Sequence, residues 1–305
     1  MSPIVIHRID TGWIEAPLES TLLGRGIHPD LPGGRLVPYG YRERIERRDG
    51  SVGSGTMIPV PAWYVEGAAK RILVDTGVPP AAETDQLHER YVGVVAQEIR
   101  DDDALVKGLA ALGVEPDQVD VLVHTHLHYD HIGRDELFEA AEVVVDEREL
   151  SWALSPPPYA SRLFYFPEVA RHLRPVLDRV RSVRDGCEIA PGVRLRFSGG
   201  HSFGHSVIEV DTALGRVVLT GDAVYSYRSL EAGWPQGTYV DLEQSVAAIA
   251  SLRRADVVVV NHDPLVGELF PTGRIGDEEL SARTATYLEG LKLGAAPALD
   301  WGCQS

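Results

Sequence analysis

The chain has 305 residues, 44% of them hydrophobic, which is enough to bury a large core. Its 45 acidic and 29 basic side chains give a net charge of −16 at pH 7. A polyanion is repelled over most of such a surface, so nucleic acid is not expected as a partner. No apolar run approaches the roughly 20 residues that cross a bilayer, and no secretion signal precedes the first apolar segment. With only two cysteines, Cys187 and Cys303, and no disulfide framework, a cytoplasmic enzyme away from the membrane is expected.

In chain order, Ile4–Ile9 reads as a strand by its length and β-branched content. Residues 12–57 follow, rich in glycine and proline, as in Leu31-Pro32-Gly33-Gly34, with little periodicity; they read as an N-terminal extension or insert. Within them the run Arg42 to Arg48 mixes both charge signs, as a solvated face does. Pro59–Val65 and Arg71–Val74 read as strands, Asp102–Leu112 as a helix, Val119–Val123 and Glu142–Val145 as strands, and Glu147–Leu154 as a helix.

A proline run, Ser155-Pro156-Pro157-Pro158-Tyr159, then leads through aromatic residues into a predicted helix over Pro167–Val180. Residues 155–180 thus form a candidate lid. As a group, Tyr159, Leu163, Phe164, Tyr165 and Phe166 could either line an apolar substrate pocket or plug into the core. Beyond them, Val193–Phe197, Ser206–Val210, Arg216–Leu219 and Val257–Val260 read as strands. Cys187, between Gly186 and Glu188, reads as part of a turn. Leu242–Arg253 and Asp277–Leu291 are predicted helices, and Leu242, Val246, Ile249 and Leu252 give the first of these an apolar face. Strands and helices alternate along the whole length without a linker, which predicts a single layered α/β domain over residues 1–305.

The segment His126-Leu-His128-Tyr-Asp130-His131 directly follows the apolar run Val119–Val123. Imidazole and carboxylate side chains hold borderline divalent metals, and a short loop leaving a strand can aim several at one or two ions. Further ligand types stand just beyond other strand-like segments: His205 in Gly-Gly-His-Ser-Phe-Gly-His, Asp222 in Leu-Thr-Gly-Asp-Ala, and His262 in Val-Val-Asn-His-Asp. Without metal, burying such a cluster would strand desolvated polar groups at a cost of kcal/mol each. His124 shares its side of an extended strand with His126. His124 therefore reads as a supporting residue or one merely buried nearby. Isolated histidines such as His7, His28, His88 and His172 read as surface or satisfied core residues.

In these elements the chain resembles the metallo-β-lactamase superfamily of metal-dependent hydrolases. The resemblance covers roughly residues 60–265 and rests on Ile72 to Gly77, the His-x-His-x-Asp-His cluster, the Gly-His-x-x-Gly-His segment, Thr220-Gly221-Asp222 and His262, in that order. It implies a four-layer αββα sandwich with the metal site at one edge, where strand ends meet. It implies that His126, His128 and His205 hold a first metal, that Asp130, His131 and His262 hold a second, and that Asp222 bridges them. Asp75 would support the ligand loops by hydrogen bonds. His201 would stand beside the ligand His205. The ions would be two divalent cations, zinc expected, with manganese, iron and cobalt also suited to such ligands.

A dinuclear centre suits hydrolysis, because one ion polarises a carbonyl while both acidify a bridging water, giving hydroxide near neutral pH. Tyr225, three residues beyond Asp222, makes the chain similar to the N-acyl homoserine lactonase branch, where a tyrosine at this place donates a hydrogen bond to substrate. The resemblance therefore implies opening of a lactone ring, N-acyl homoserine lactone first among the substrates. Tyr225 would steady the oxyanion and Asp130 would pass a proton to the leaving oxygen. The alternatives are another lactone, ester or thioester at the same centre, and an iron-dependent oxidoreductase of the sulfur-dioxygenase type. The partner is then a small molecule, with a homodimer left open. Phe203 in place of a common proline, Asn261 in place of a common glycine, and the long N-terminal extension depart from that branch.

Overall fold

The computed structural model describes residues 3–16, 41–46, 52–87, 89–90, 97–99, 101–156, 158, 165, 169–277 and 279–293. Among these, the strands are β1 (Val5–Ala16), β2 (Tyr41–Glu46), β3 (Val52–Glu66), β4 (Ile72–Val74), β5 (Val121–Val123), β6 (Glu142–Asp146), β7 (Val180–Val183), β8 (Gly186–Ala190), β9 (Val193–Phe197), β10 (Ser206–Thr212), β11 (Gly215–Leu219), β12 (Val257–Val259) and β13 (Arg274–Ile275). The helices are α1 (Ala81–Leu87), α2 (Ala104–Ala111), α3 (Glu147–Leu154), α4 (Val169–Leu173), α5 (Tyr227–Ala232), α6 (Leu242–Leu252), α7 (Leu265–Leu269) and α8 (Ala282–Leu293).

An eight-stranded sheet runs β13-β1-β3-β4-β5-β6-β7, with β2 paired to β3, and a five-stranded sheet runs β12-β11-β10-β9-β8. Both are mixed. In the first, β4 to β7 lie parallel; in the second, β11 and β12 do. The period-two alternation of the strands builds the layers. Ile72 and Val74, with Val121 and Val123, join the core cluster that also contains Leu195, Ile208 and Val217 of the second sheet. Leu73 and Leu122 point the other way and pack with Leu105 and Leu109 of α2. On the side of the second sheet, Ile249 and Leu252 of α6 belong to the same contiguous cluster. This is the expected αββα arrangement. Each fully buried Leu, Ile or Val in it contributes about 1.5–3 kcal/mol relative to exposure.

Several boundaries differ from expectation. β1 and β3 run on to Ala16 and back to Val52, pairing from Val5↔Glu66 to Ala16↔Thr56, so the ends of the 12–57 segment belong to the first sheet. The pattern there was hidden by Pro59 and Pro61, which lack the N–H a ladder uses; the register shifts between Asp10 and Gly12, opposite these prolines. The predicted helix over Pro167–Val180 is instead α4, a 3₁₀ stretch at Arg174–Arg179, and strand β7. Pro175 cannot donate the helical bond, and β-branched Val180 and Val183 pair beside β6. Cys187 lies in β8, not a turn, and Arg181 Nη1 approaches its sulfur to 3.6 Å. Cys303, His28, His88, Tyr159, Leu163, Phe164, Phe166 and most of the run Arg42 to Arg48 lie outside the residues or side chains described. No described helix is long and apolar enough to cross a membrane.

Candidate metal centre

Parallel pairing aligns the ends of β4 and β5, and those of β11 and β12. The loops leaving these strands carry Asp75, residues 124–131, Asp222 and His262. The β9–β10 connection, residues 198–205, supplies two further histidines. The loops are fastened by backbone bonds: His124 N to Val144 O (2.9 Å), Thr76 N to His131 O (2.7 Å) and Ser206 N to Thr125 O (2.8 Å). Gly221 sits at φ +49, and a Cβ there would come within 2.7 Å of the Thr125 side chain, so the turn carrying Asp222 can press against the histidine loop only because this residue is glycine.

Two groups of buried side chains come together. One is His126, His128, His201 and Asp222; the other is Asp130, His131 and His262. Within each, the candidate ligand atoms all lie within 4.8 Å of one another. Asp222 stands between them. Its Oδ2 is 3.3 Å from His201 Nε2 and 3.7 Å from His126 Nε2, while its Oδ1 is 2.9 Å from His262 Nε2 and 3.1 Å from His131 Nε2. Asp130 Oδ2 lies 3.8 Å from both His131 Nε2 and His262 Nε2.

His205, expected at the first metal position, lies outside both groups. His205 is buried, but both its ring nitrogens are engaged: Nε2 accepts from the Asp222 N–H at 2.9 Å and Nδ1 is bonded to Ser198 Oγ at 2.7 Å. Burial lowers its pKa to about 3, so it stays a neutral acceptor that fixes the Asp222 backbone. His201 stands in the first of the two groups. Its Nδ1 donates to Thr238 O at 3.1 Å, leaving the Nε2 lone pair turned toward His128 Nδ1, 3.1 Å away, and Asp222. A carbonyl on one ring nitrogen is the usual way of orienting a metal-binding imidazole.

The other candidate ligands are oriented similarly. Asp75 Oδ2 receives His131 Nδ1 at 2.8 Å and the Thr125 hydroxyl at 2.8 Å, and its Oδ1 receives Thr125 N at 2.9 Å. That is the supporting role expected of Asp75. His262 Nδ1 donates to Pro59 O at 2.8 Å. His124 faces away from both ligand groups, with Nε2 3.0 Å from Asp135 Oδ2 and Nδ1 3.5 Å from Asp75 Oδ1.

Burial and neighbouring imidazoles push the pKa values of His126 and His128 well below the ordinary histidine value, keeping their lone pairs free. At His131 burial acts in the same direction, but the carboxylates of Asp222, Asp75 and Asp130 outweigh it and raise the pKa. A divalent cation can take the place of such protons. The fit to metal shows in unsatisfied atoms. His126 Nε2, His131 Nε2, His262 Nε2 and Asp222 Oδ1 are buried and have no aligned hydrogen-bond partner. Each such atom ordinarily costs about 1–3 kcal/mol, and convergence of several on one another is the donor set of a metal site.

Tyr225 packs across both groups, its ring 5.7 Å from that of His201 and 5.2 Å from that of His262. Partial burial, with the carboxylates of Asp222 and Asp130, pushes its pKa well above the ordinary phenol value, so it remains a donor at neutral pH. Gln236, which the sequence did not single out, is buried behind it; its Nε2 donates to Asp222 O at 2.9 Å and its Oε1 accepts from Tyr225 N at 3.2 Å. The departures from the lactonase pattern have structural partners. Asn261 Oδ1 accepts from Trp63 Nε1 at 3.0 Å, and Phe203 stacks on Trp152 with centroids 3.5 Å apart. Tyr165 is buried to 1% exposure, a core plug and not an open pocket wall. His7 and His172 are satisfied by Glu66 and Glu83 at 2.8 and 3.0 Å.

The profile of the metallo-beta-lactamase superfamily matches residues 55–294. An N-acyl homoserine lactonase of Bacillus thuringiensis is 29% identical over 218 residues, covering 70% of this chain and 82% of that protein. The human metallo-beta-lactamase domain-containing protein 1 is 32% identical over 244 residues, covering 79% and 75%. Among solved structures, an N-acyl homoserine lactone hydrolase with the product N-hexanoyl-L-homoserine bound at its catalytic metal center superposes with a TM-score of 0.64 at 23% identity, over 89% of this chain and 99% of that one. AidC, a dizinc quorum-quenching lactonase, superposes with a TM-score of 0.60 at 15% identity, over 92% of each chain. With its fold, its converging histidines and carboxylates and these relatives, the chain belongs to the metallo-beta-lactamase superfamily of hydrolases.

Proposed function

We propose that the protein is a two-metal lactonase, with N-acyl homoserine lactones as the leading substrates and zinc as the expected ion. The observation that carries this reading is the position of Asp222, with one oxygen toward His126 and His201 and the other toward His131 and His262. His126, His128 and His201 would hold one ion, Asp130, His131 and His262 the other, and Asp222 would serve both. Bound there, the ions would supply Lewis acidity for an ester carbonyl and lower the pKa of water toward neutrality.

The chain's own residues then have distinct tasks. Ring opening adds water across the ester C–O bond, with the hydroxyl going to the acyl carbon and the proton to the ring oxygen. The Tyr225 phenol, protonated at neutral pH, donates to the carbonyl oxygen as negative charge develops on it. Asp130 conveys the proton to the departing oxygen. The Phe203–Trp152 stack begins two residues from His201 and offers an apolar flank for an acyl chain. Relatives named as N-acyl homoserine lactonases support the substrate class.

The test is a panel of acyl-homoserine, γ- and δ-lactones, simple esters, thioesters, β-lactams and phosphodiesters, assayed with metal-loaded protein. Lactones should have the highest kcat/KM. Faster phosphodiester turnover, or thioester cleavage without measurable ring opening, would remove the lactonase reading and leave a hydrolase of another substrate.

A further inference from the structure

We propose that Glu149, in the first turn of α3, is a positioning residue for the first metal position, tying the loop of His126 and His128 to the loop of His201. The inference rests on the reading that these histidines hold a metal ion. Glu149 is fully buried. Its Oε1 accepts from the Leu127 N–H at 3.0 Å and the Tyr165 hydroxyl at 2.9 Å; its Oε2 accepts from the Ser202 hydroxyl and the Gly204 N–H, both at 2.8 Å. Leu127 lies between His126 and His128, Ser202 follows His201, and Gly204 precedes His205. One carboxylate thus fixes both loops that carry the imidazoles of this position.

The approach is built into the backbone. A Cβ on Gly204 would fall 2.2 Å from Glu149 N and 2.6 Å from its Cβ, so a side chain there would push helix and loop apart. Asp146 caps α3 by accepting from Arg148 N at 2.9 Å, which sets where the first turn begins. Burial pushes the pKa of Glu149 up, and the bonds from Leu127, Ser202, Gly204 and Tyr165 oppose that shift. Its bonded partners are all donors. A glutamine of the same size would present an NH2 to a pair containing one of the two backbone N–H groups, which cannot turn away as a hydroxyl can. Glu149→Gln must therefore break one loop contact even though it keeps the shape.

The second position is anchored elsewhere. His131 is held by Asp75, His262 by Pro59 O, and the backbone around residue 131 by Thr76 N to His131 O and Gly133 N to Gly77 O. Loss of the Glu149 contacts should therefore act on one ion and not on both. A merely structural glutamate would affect folding without distinguishing the two.

The experiment titrates full-length wild type, Glu149→Gln, Ser202→Ala and Tyr165→Phe with Zn2+ or Co2+ against a competing chelator, in the wild-type, His201→Ala and His262→Ala backgrounds. Glu149→Gln should weaken one of two ions by about 10- to 100-fold, should weaken the ion remaining in His262→Ala, and should leave the ion remaining in His201→Ala unchanged. Ser202→Ala and Tyr165→Phe, which each remove one hydroxyl donor, should show smaller losses at the same position and carry the test if Glu149→Gln does not fold. Unchanged affinities, or equal losses at both positions, would overturn the role of Glu149. A wild type that saturates at one ion would instead overturn the two-metal reading and this inference with it.

Discussion

His201 donates from Nδ1 to the carbonyl of Thr238 over 3.1 Å, a bond that places its Nε2 lone pair in the ligand group. His205, four residues on, has both nitrogens committed to Ser198 and to the Asp222 backbone. Elemental analysis of loaded protein should therefore show one ion lost from His201→Ala. His205→Ala should retain two ions but lose about 1–3 kcal/mol of stability, because the buried Asp222 N–H loses its acceptor. Loss of an ion from His205→Ala with none lost from His201→Ala would return the ligand role to His205.

Tyr225 touches the rings of both His201 and His262 without belonging to either ligand group. Tyr225→Phe should lower kcat by roughly 10- to 1000-fold at unchanged metal content. KM should change much less, since the lost bond is strongest when the carbonyl oxygen carries charge. Wild-type kinetics in a fully loaded variant would take the phenol out of the reaction.

The different surroundings of His201 and His205 are not legible in the sequence for a physical reason. Both follow a glycine within one eight-residue loop. What separates them is the hydroxyl of Ser198, within the loop, and the remote carbonyl of Thr238, which enters only when residues 236–241 fold onto Gly200: Val240 N and Asp241 N both donate to Gly200 O, at 2.8 and 3.1 Å. Gln236 is not legible either, since an isolated glutamine carries no pattern. In contrast, His126, His128, Asp130 and His131 announce themselves because one short loop must hold them all, and Asp75, Asp222 and His262 because each ends an apolar strand.

The strands were legible where both faces are buried, as at Val121–Val123 and Val257–Val259, whose side chains read as unbroken apolar runs. They are obscured where a local feature interrupts the pattern. Pro59 and Pro61 obscured the length of β3, and β7 follows directly on a 3₁₀ stretch that continues the polar-apolar spacing of a helix. The apolar face of α6 is also rotated from the one expected, with Ser245 and Ala248 buried beside Ile249 and Leu252. Gly200 packs directly on Ser245, so a small polar residue there belongs to the interface.

His124 links Asp75 and Asp135 within the protein interior. Burial alone would lower its pKa, but the charges and hydrogen bonds of Asp135 and Asp75 raise it from 6.5 to about 9. A histidine raised on folding contributes stability that is fully present below its unfolded pKa and lost as pH climbs through the folded one. At about 1.4 kcal/mol per pH unit, this is on the order of 3 kcal/mol. Denaturation of chelator-treated protein should show stability falling between about pH 6.5 and pH 9, with the slope reduced in His124→Gln. Equal slopes in the two proteins would mean that His124 does not hold the proton.

Gln236 joins the Asp222 carbonyl to the Tyr225 amide, so it couples the carboxylate shared by both ligand groups to the phenol above them. Gln236→Leu strands a buried acceptor and a partly buried donor, at a cost of roughly 1–3 kcal/mol each, and frees the Tyr225 backbone to shift. Its kcat should fall by less than that of Tyr225→Phe, because the hydroxyl is still present but less well aimed. A double-mutant cycle separates the two routes by which Gln236 could act. If it acts by aiming the phenol, Gln236→Leu added to Tyr225→Phe should reduce kcat little further, while the losses of stability still add. Additive losses in kcat would mean that Gln236 influences the reaction through Asp222, and metal titration of Gln236→Leu should then show weakened binding at both positions.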